Sequence, residues 1–147
     1  MTHPYLRPAL AVFACAALLT LATPSMAEMV KMKTSMKASN EVPPNNSKGT
    51  GSVDVTYDTA SKKLSWTGNY SDLSGPATAA HFHGPATQGK NAGVMVPIFG
   101  GPAAKSPFEG SATLNDAQAQ ALMSGDMYVN VHTEANKGGE IRGQLAK

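Results

Sequence analysis

The sequence predicts an all-β domain, an eight-stranded Greek-key sandwich or barrel carrying one short helix at about residues 115–124. Three observations lead there. Apolar and polar residues alternate with period two in segment after segment. Clusters of Gly, Pro, Asn, Asp and Ser separate those segments at close spacing. Only one stretch has helix-forming residues between a good N-cap and a glycine stop.

The domain is read as starting after a leader. Met1 to Arg7 carry one positive charge, Ala9 to Ala22 are apolar, and Ser25-Met26-Ala27 offer small residues for cleavage. The apolar run is shorter than the roughly 18 residues of a membrane span. Residues 1–27 are therefore expected to be a cleaved secretory signal, and residues 28–147 a single domain in the periplasm or outside the cell. No membrane contact is expected once the leader is gone. Cys15, the one cysteine, lies in the leader, so neither a disulfide nor a thiolate is available to the domain. Residues 28–147 have a net charge of +1 and no basic run interleaved with aromatics, which argues against a nucleic-acid partner.

In chain order, Val30, Met32, Thr34, Met36 and Ala38 alternate with Lys31, Lys33, Ser35 and Lys37, the pattern of a strand with one face buried. The methionine spacing invites a copper(I) reading, because thioethers suit that ion. Met32 and Met36, however, fall on the apolar face, where methionine is ordinary core filler. Only Met29 is off it. Glu41-Val42-Pro43-Pro44-Asn45-Asn46 breaks the strand. Residues 52–57 and 63–70 then read as a hairpin around the turn Asp58-Thr59-Ala60-Ser61.

A strand over Thr78 to His83 follows, then a loop from Gly84 to Gly93. Val94, Val96 and Ile98 form the next strand, which Pro97 moves to a sheet edge. Phe108, Gly110, Ala112 and Leu114 continue the alternation. Asn115 caps the helix with Gln118 at the capping-box position, and Gly125 stops it. Met127 to Thr133 and Gly139 to Leu145 are the last two strands.

The sharpest chemical signal is His81-Phe82-His83. Alternate side chains of a strand share a face, so the two rings are neighbours with Cα atoms roughly 6.5 Å apart, while Ala80 and Phe82 face the core. In the later strand Val129 and Val131 take the core face, leaving Asn130 and His132 on the outer one. These three histidines are all that residues 28–147 contain, and each is expected on the outward side of its sheet. An all-nitrogen set without cysteine suits copper, with zinc as the alternative. Asn130 is a candidate outer hydrogen-bond partner, and Glu134 or a water a candidate fourth ligand. Arg142, beside Glu140 on the last strand, is either half of a surface pair or an anion-steering group. No nucleophile elbow and no phosphate-binding glycine turn is present.

Together, Glu41-Val42-Pro43-Pro44, His81-Phe82-His83-Gly84, Tyr128-Val129-Asn130-Val131-His132-Thr133 and Gly139-Glu140-Ile141-Arg142-Gly143-Gln144 resemble the CHRD, or chordin-type, domain family from about Met32 to Leu145. The resemblance implies an exported domain and leaves its chemistry open. A more distant likeness is to copper-zinc superoxide dismutase, through the His-x-His strand, the late strand Val131-His132-Thr133, and Arg142 after a turn at Asn136-Lys137-Gly138-Gly139. That family's bridging histidine, remaining zinc ligands and disulfide cysteines have no counterparts here. Three functions remain open at this point: a binding module holding a copper-like ion through His81, His83 and His132; a dismutase-like copper enzyme steered by Arg142; and a metal-free adhesive β-sandwich.

Overall fold

The computed structural model describes residues 26–101 and 104–146. Cys15 and all of the expected leader except Met26 and Ala27 lie outside the described residues. Among the described residues eight strands and one α-helix follow in order, with a 3-10 turn at Ala38–Asn40 after the first strand. They are β1 (Met29–Lys37), β2 (Thr50–Asp58), β3 (Lys63–Ser71), β4 (Ala77–His83), β5 (Val94–Gly100), β6 (Phe108–Thr113), α1 (Asp116–Ser124), β7 (Tyr128–Thr133) and β8 (Ile141–Gln144). All pair antiparallel in one sheet ordered β5-β4-β7-β8-β1-β2-β3-β6. The pairing of β3 with β6 and of β4 with β7 forces long connections across the ends, which is Greek-key topology.

The sheet curls until its two ends meet. Phe99 of β5 and Phe108 of β6 stand edge to face at 5.3 Å, yet no strand ladder joins β5 to β6. The barrel is nearly closed, with a seam between these two strands. Pro97 lies on β5, one of the two end strands, as its missing N–H requires.

Alternation produces the core. β1 reads exposed and buried in strict turn, with Val30, Met32, Thr34 and Met36 inward. Met32 and Met36 are buried among core residues and Met29 is exposed, as the pattern predicts for core methionines. Trp66 meets Phe82 edge-on at 5.2 Å. Leu64, Phe82, Val129, Val131 and Ile141 are fully enclosed. Each such side chain contributes roughly 1.5–3 kcal/mol. The helix forms as predicted: Gln118 N–H donates to Asn115 Oδ1, Asn115 N–H donates to Gln118 Oε1, and Gly125 ends it in the left-handed region at φ 78°.

Two expectations need correction. The last strand is Ile141–Gln144 rather than Gly139–Leu145, because Gly139 still belongs to the turn, donating to Asn136 O at φ 129°. More consequentially, β7 is buried on both faces. Its outward side does not meet water, because other parts of the chain cover it.

Candidate metal centre

The cover is the loop between β4 and β5, residues 84–93, which folds back over β4, β7 and β8. Its ends close on each other through Gly84 N–H to Gly93 O at 3.2 Å. Gln144 Nε2 holds Ala86 O, Tyr128 Oη accepts from Ala92 N, and Asn91 Nδ2 reaches Val42 O. Arg142 does the most. Its Nη1 donates to Asn91 Oδ1 at 3.0 Å and its Nη2 to Lys90 O at 2.6 Å. The guanidinium carbon lies 3.4 Å from the centre of the Tyr128 ring, and the His83 ring is stacked on Tyr128 at 5.0 Å with 6° between planes. Arg142 is only 1 % exposed. It holds the loop against the aromatic stack, so neither a surface pair with Glu140 nor the steering of incoming anions describes it.

Under this loop three imidazoles converge. Strand pairing sets Ala79 opposite His132 and His81 opposite Asn130, so β4 and β7 deliver all three rings to one face. One nitrogen from each of His81, His83 and His132 lies within 4.8 Å of the others. His83 Nδ1–H donates to Ala92 O at 3.0 Å, and His132 Nδ1–H donates to Lys137 O at 2.9 Å. A carbonyl can only accept, so each bond fixes the proton on Nδ1 and leaves Nε2 with a lone pair. His83 Nε2 is buried without a hydrogen-bond partner. His132 Nε2 faces His81 Nδ1 at 3.1 Å. Such a contact needs a proton, or a cation, between the two nitrogens.

Burial lowers the pKa of all three rings. For His81 the neighbouring His132 and His83 lower it further, while the bonds to Ala92 and Lys137 act against burial in His83 and His132. Neutral imidazoles with one nitrogen anchored to backbone and the other open are the state in which histidine binds a metal. The donor set therefore fits a cation that accepts nitrogen ligands. His81 is half-buried whereas His83 and His132 are buried, so the cluster is reached from the His81 side.

The remaining candidates separate. Asn130 is buried beside the cluster, with Arg142 as its β8 partner and Nδ2 donating to Gly138 O at 3.4 Å. Glu134 is highly exposed and pairs with Lys137 at 2.7 Å, outside the histidine group.

Sequence reasoning missed three neighbours. Tyr128 forms the stack. Glu41, from the loop after β1, is buried next to Asn130. Burial drives its carboxyl up to about 7, although the Arg142 charge and hydrogen bonds from Asn130 and the Val42 backbone pull the other way. Glu140 is wholly enclosed. Its Oε1 accepts from Ser47 Oγ (2.5 Å) and Ser74 N (2.6 Å), and its Oε2 from Ser74 Oγ (2.7 Å), Thr133 Oγ1 (2.5 Å) and Asn136 Nδ2 (3.1 Å). Burial alone would raise this acid, but the bonds from Ser47, Thr133 and Ser74 outweigh it and bring it to about 2.

Among the described residues no helix is long and apolar enough to cross a membrane. A family model described as CHRD domain matches residues 32–145. No curated protein and no solved structure matches the chain, so the comparisons add no support to the likeness with copper-zinc superoxide dismutase.

Proposed function

The chain belongs to the CHRD domain family, and we propose that this member is a binding module that holds one copper-like ion through His81, His83 and His132, working outside the cytoplasm after loss of its leader. The observation that carries the reading is the pair of backbone anchors at His83 and His132, which leave each ring a lone pair on Nε2, with one nitrogen of each of the three histidines within 4.8 Å of the others. Solvated surface histidines have no need of fixed tautomers, and burying an unpaired ring nitrogen costs about 1–3 kcal/mol. Copper is preferred because the ligands are all nitrogen and no carboxylate joins them; zinc is the alternative.

Binding is favoured over catalysis. With Arg142 committed to the loop, the group that a dismutase-like reading would assign to anion steering is unavailable to solvent. The metal-free adhesive reading assigns no role to the convergence of the three rings.

Purified protein should take up about one equivalent of Cu(II), with a higher melting temperature on loading, because an ion bound only by the folded state stabilises it. His81→Ala, at the half-buried position, should abolish uptake while leaving the fold intact. Equal stoichiometry in that variant, or a melting temperature indifferent to both Cu(II) and Zn(II), would sink the proposal.

A further inference from the structure

On the covered face three buried polar atoms lack a hydrogen-bond partner: His83 Nε2, Asn130 Oδ1 and Glu41 Oε1. Their residues are 8 %, 2 % and 5 % exposed. The Asn130 side chain stands between the other two, in hydrogen-bonding contact with His83 on one side and with Glu41 on the other. The three atoms thus form one connected polar group whose pairing is incomplete, which native interiors rarely tolerate.

The neighbourhood is defined by β7 and the turn that follows it. Asn130 stands opposite His81 on one side and Arg142 on the other. Gly139 lies beneath Asn130 and Glu41 together: a Cβ placed there would collide with Glu41 Oε1 and come within 2.5 Å of Asn130 Nδ2. The carboxylate thus forms a layer behind the histidines, with the Asn130 amide between. Arg142 acts on Glu41 through its charge, yet both of its terminal nitrogens are bonded to the loop. The donors beside the Glu41 carboxyl are Asn130 and the Val42 backbone, and Oε1 has no well-aligned bond from either.

A cation on three neutral imidazoles brings positive charge, and any water bound to it brings hydrogen-bond donors. Both are what the orphaned oxygens of Asn130 and Glu41 lack. We propose that Glu41, acting across Asn130, is the outer carboxylate of the metal centre and favours a doubly charged over a singly charged ion. The proposal rests on the three-histidine reading.

The test is affinity for Cu(II) and for Cu(I), each measured by chelator competition on the purified chain. Glu41→Gln, nearly isosteric but uncharged, should retain one site, lose about ten-fold in Cu(II) affinity, and change less than two-fold for Cu(I). That ratio corresponds to a rise of about 59 mV in the one-electron potential of the bound copper. Glu41→Asp, which keeps the charge, should recover most of the Cu(II) affinity. Asn130→Ser should give a smaller loss of the same ion-selective kind, and it decides the matter should E41Q not fold. Equal losses for both ions would mark Glu41 as a packing residue and overturn the proposal, as would no loss for either. Wild-type protein that takes up no copper would overturn the three-histidine reading as well, so the two failures are distinguishable.

Discussion

Glu41 and Glu140 are both buried carboxylates, one lying against Gly139 and the other following it in the chain. Glu140 is saturated, with five donors from the loops around Ser47 and Ser74, from Thr133 at the end of β7 and from Asn136 in the turn after it. Glu41 keeps an unpartnered oxygen. Their acidities diverge accordingly, to about 2 for Glu140 and about 7 for Glu41. Burial opposes ionisation in both, and the supply of donors decides the outcome. A saturated acid ties segments of chain together. An unsaturated one costs stability, and that cost is explained when the group serves a ligand.

The strongest way to break the comparison is to empty the saturated site. Glu140→Ala would leave five donors facing a cavity, and should lower the unfolding free energy by about 4 kcal/mol in urea denaturation. A loss under about 1 kcal/mol would mean that the three segments hold without it.

Next is pH. The folded pKa of Glu140 lies below its usual 4.5, so its stabilisation is present above that value and lost as pH falls from about 5 toward 2. This amounts to about 3 kcal/mol. Glu41 has the opposite sign. Its raised pKa gives stability that is full below 4.5 and lost as pH rises through about 7. Hence E41Q in the metal-free protein should match wild type at pH 4 and exceed it by about 3 kcal/mol at pH 8. Parallel curves for the two proteins across that range would erase the distinction between the acids.

A smaller effect should come from Gly139→Ala. The added methyl meets Glu41 and Asn130, and the φ of 129° suits only glycine. A loss of about 2 kcal/mol is expected, together with weakened copper uptake as Asn130 is displaced. Retained affinity would show that the outer layer does not reach the ion.

The mildest test is Arg142→Lys, which keeps the charge near Glu41 but loses the planar stack on Tyr128 and the paired contacts to Lys90 and Asn91. It should cost about 1 kcal/mol and speed amide exchange in residues 90–92. An unchanged exchange rate there would show that the loop is held by its other contacts, from Tyr128, Gln144 and Val42.

Much of this was legible in the sequence, for physical reasons. Period two is dictated by strand geometry, so it located the strands, the core methionines of β1 and the common face of His81, His83 and His132. The capping box of α1 is local chemistry and was readable residue by residue. The roof over the histidines was not, because alternation reports which side a residue faces and not what covers that side. A clue did exist. The outer positions of β1 are lysines at 31, 33 and 37, as expected of a wetted face, whereas those of β7 are Tyr128, Asn130 and His132, with no permanent charge. Glu41, Glu140 and the Arg142 stack depend on contacts between distant segments, such as Ser47 with Glu140 and Lys90 with Arg142. No window along the chain contains both partners.

The seam gives the barrel a direction in time. β5 is laddered only to β4, and the loop roofing the histidines runs straight into it. That end of the sheet can part from β6 by separating aromatic rings such as Phe99 and Phe108, with no backbone ladder to break. Exchange of a bound ion should therefore be gated by fraying of β5, and its release rate should track amide exchange in Val94–Gly100 rather than global unfolding. Affinity would be set by the imidazoles, and residence time by an edge strand whose Pro97 and Val94 stand opposite His81 and His83.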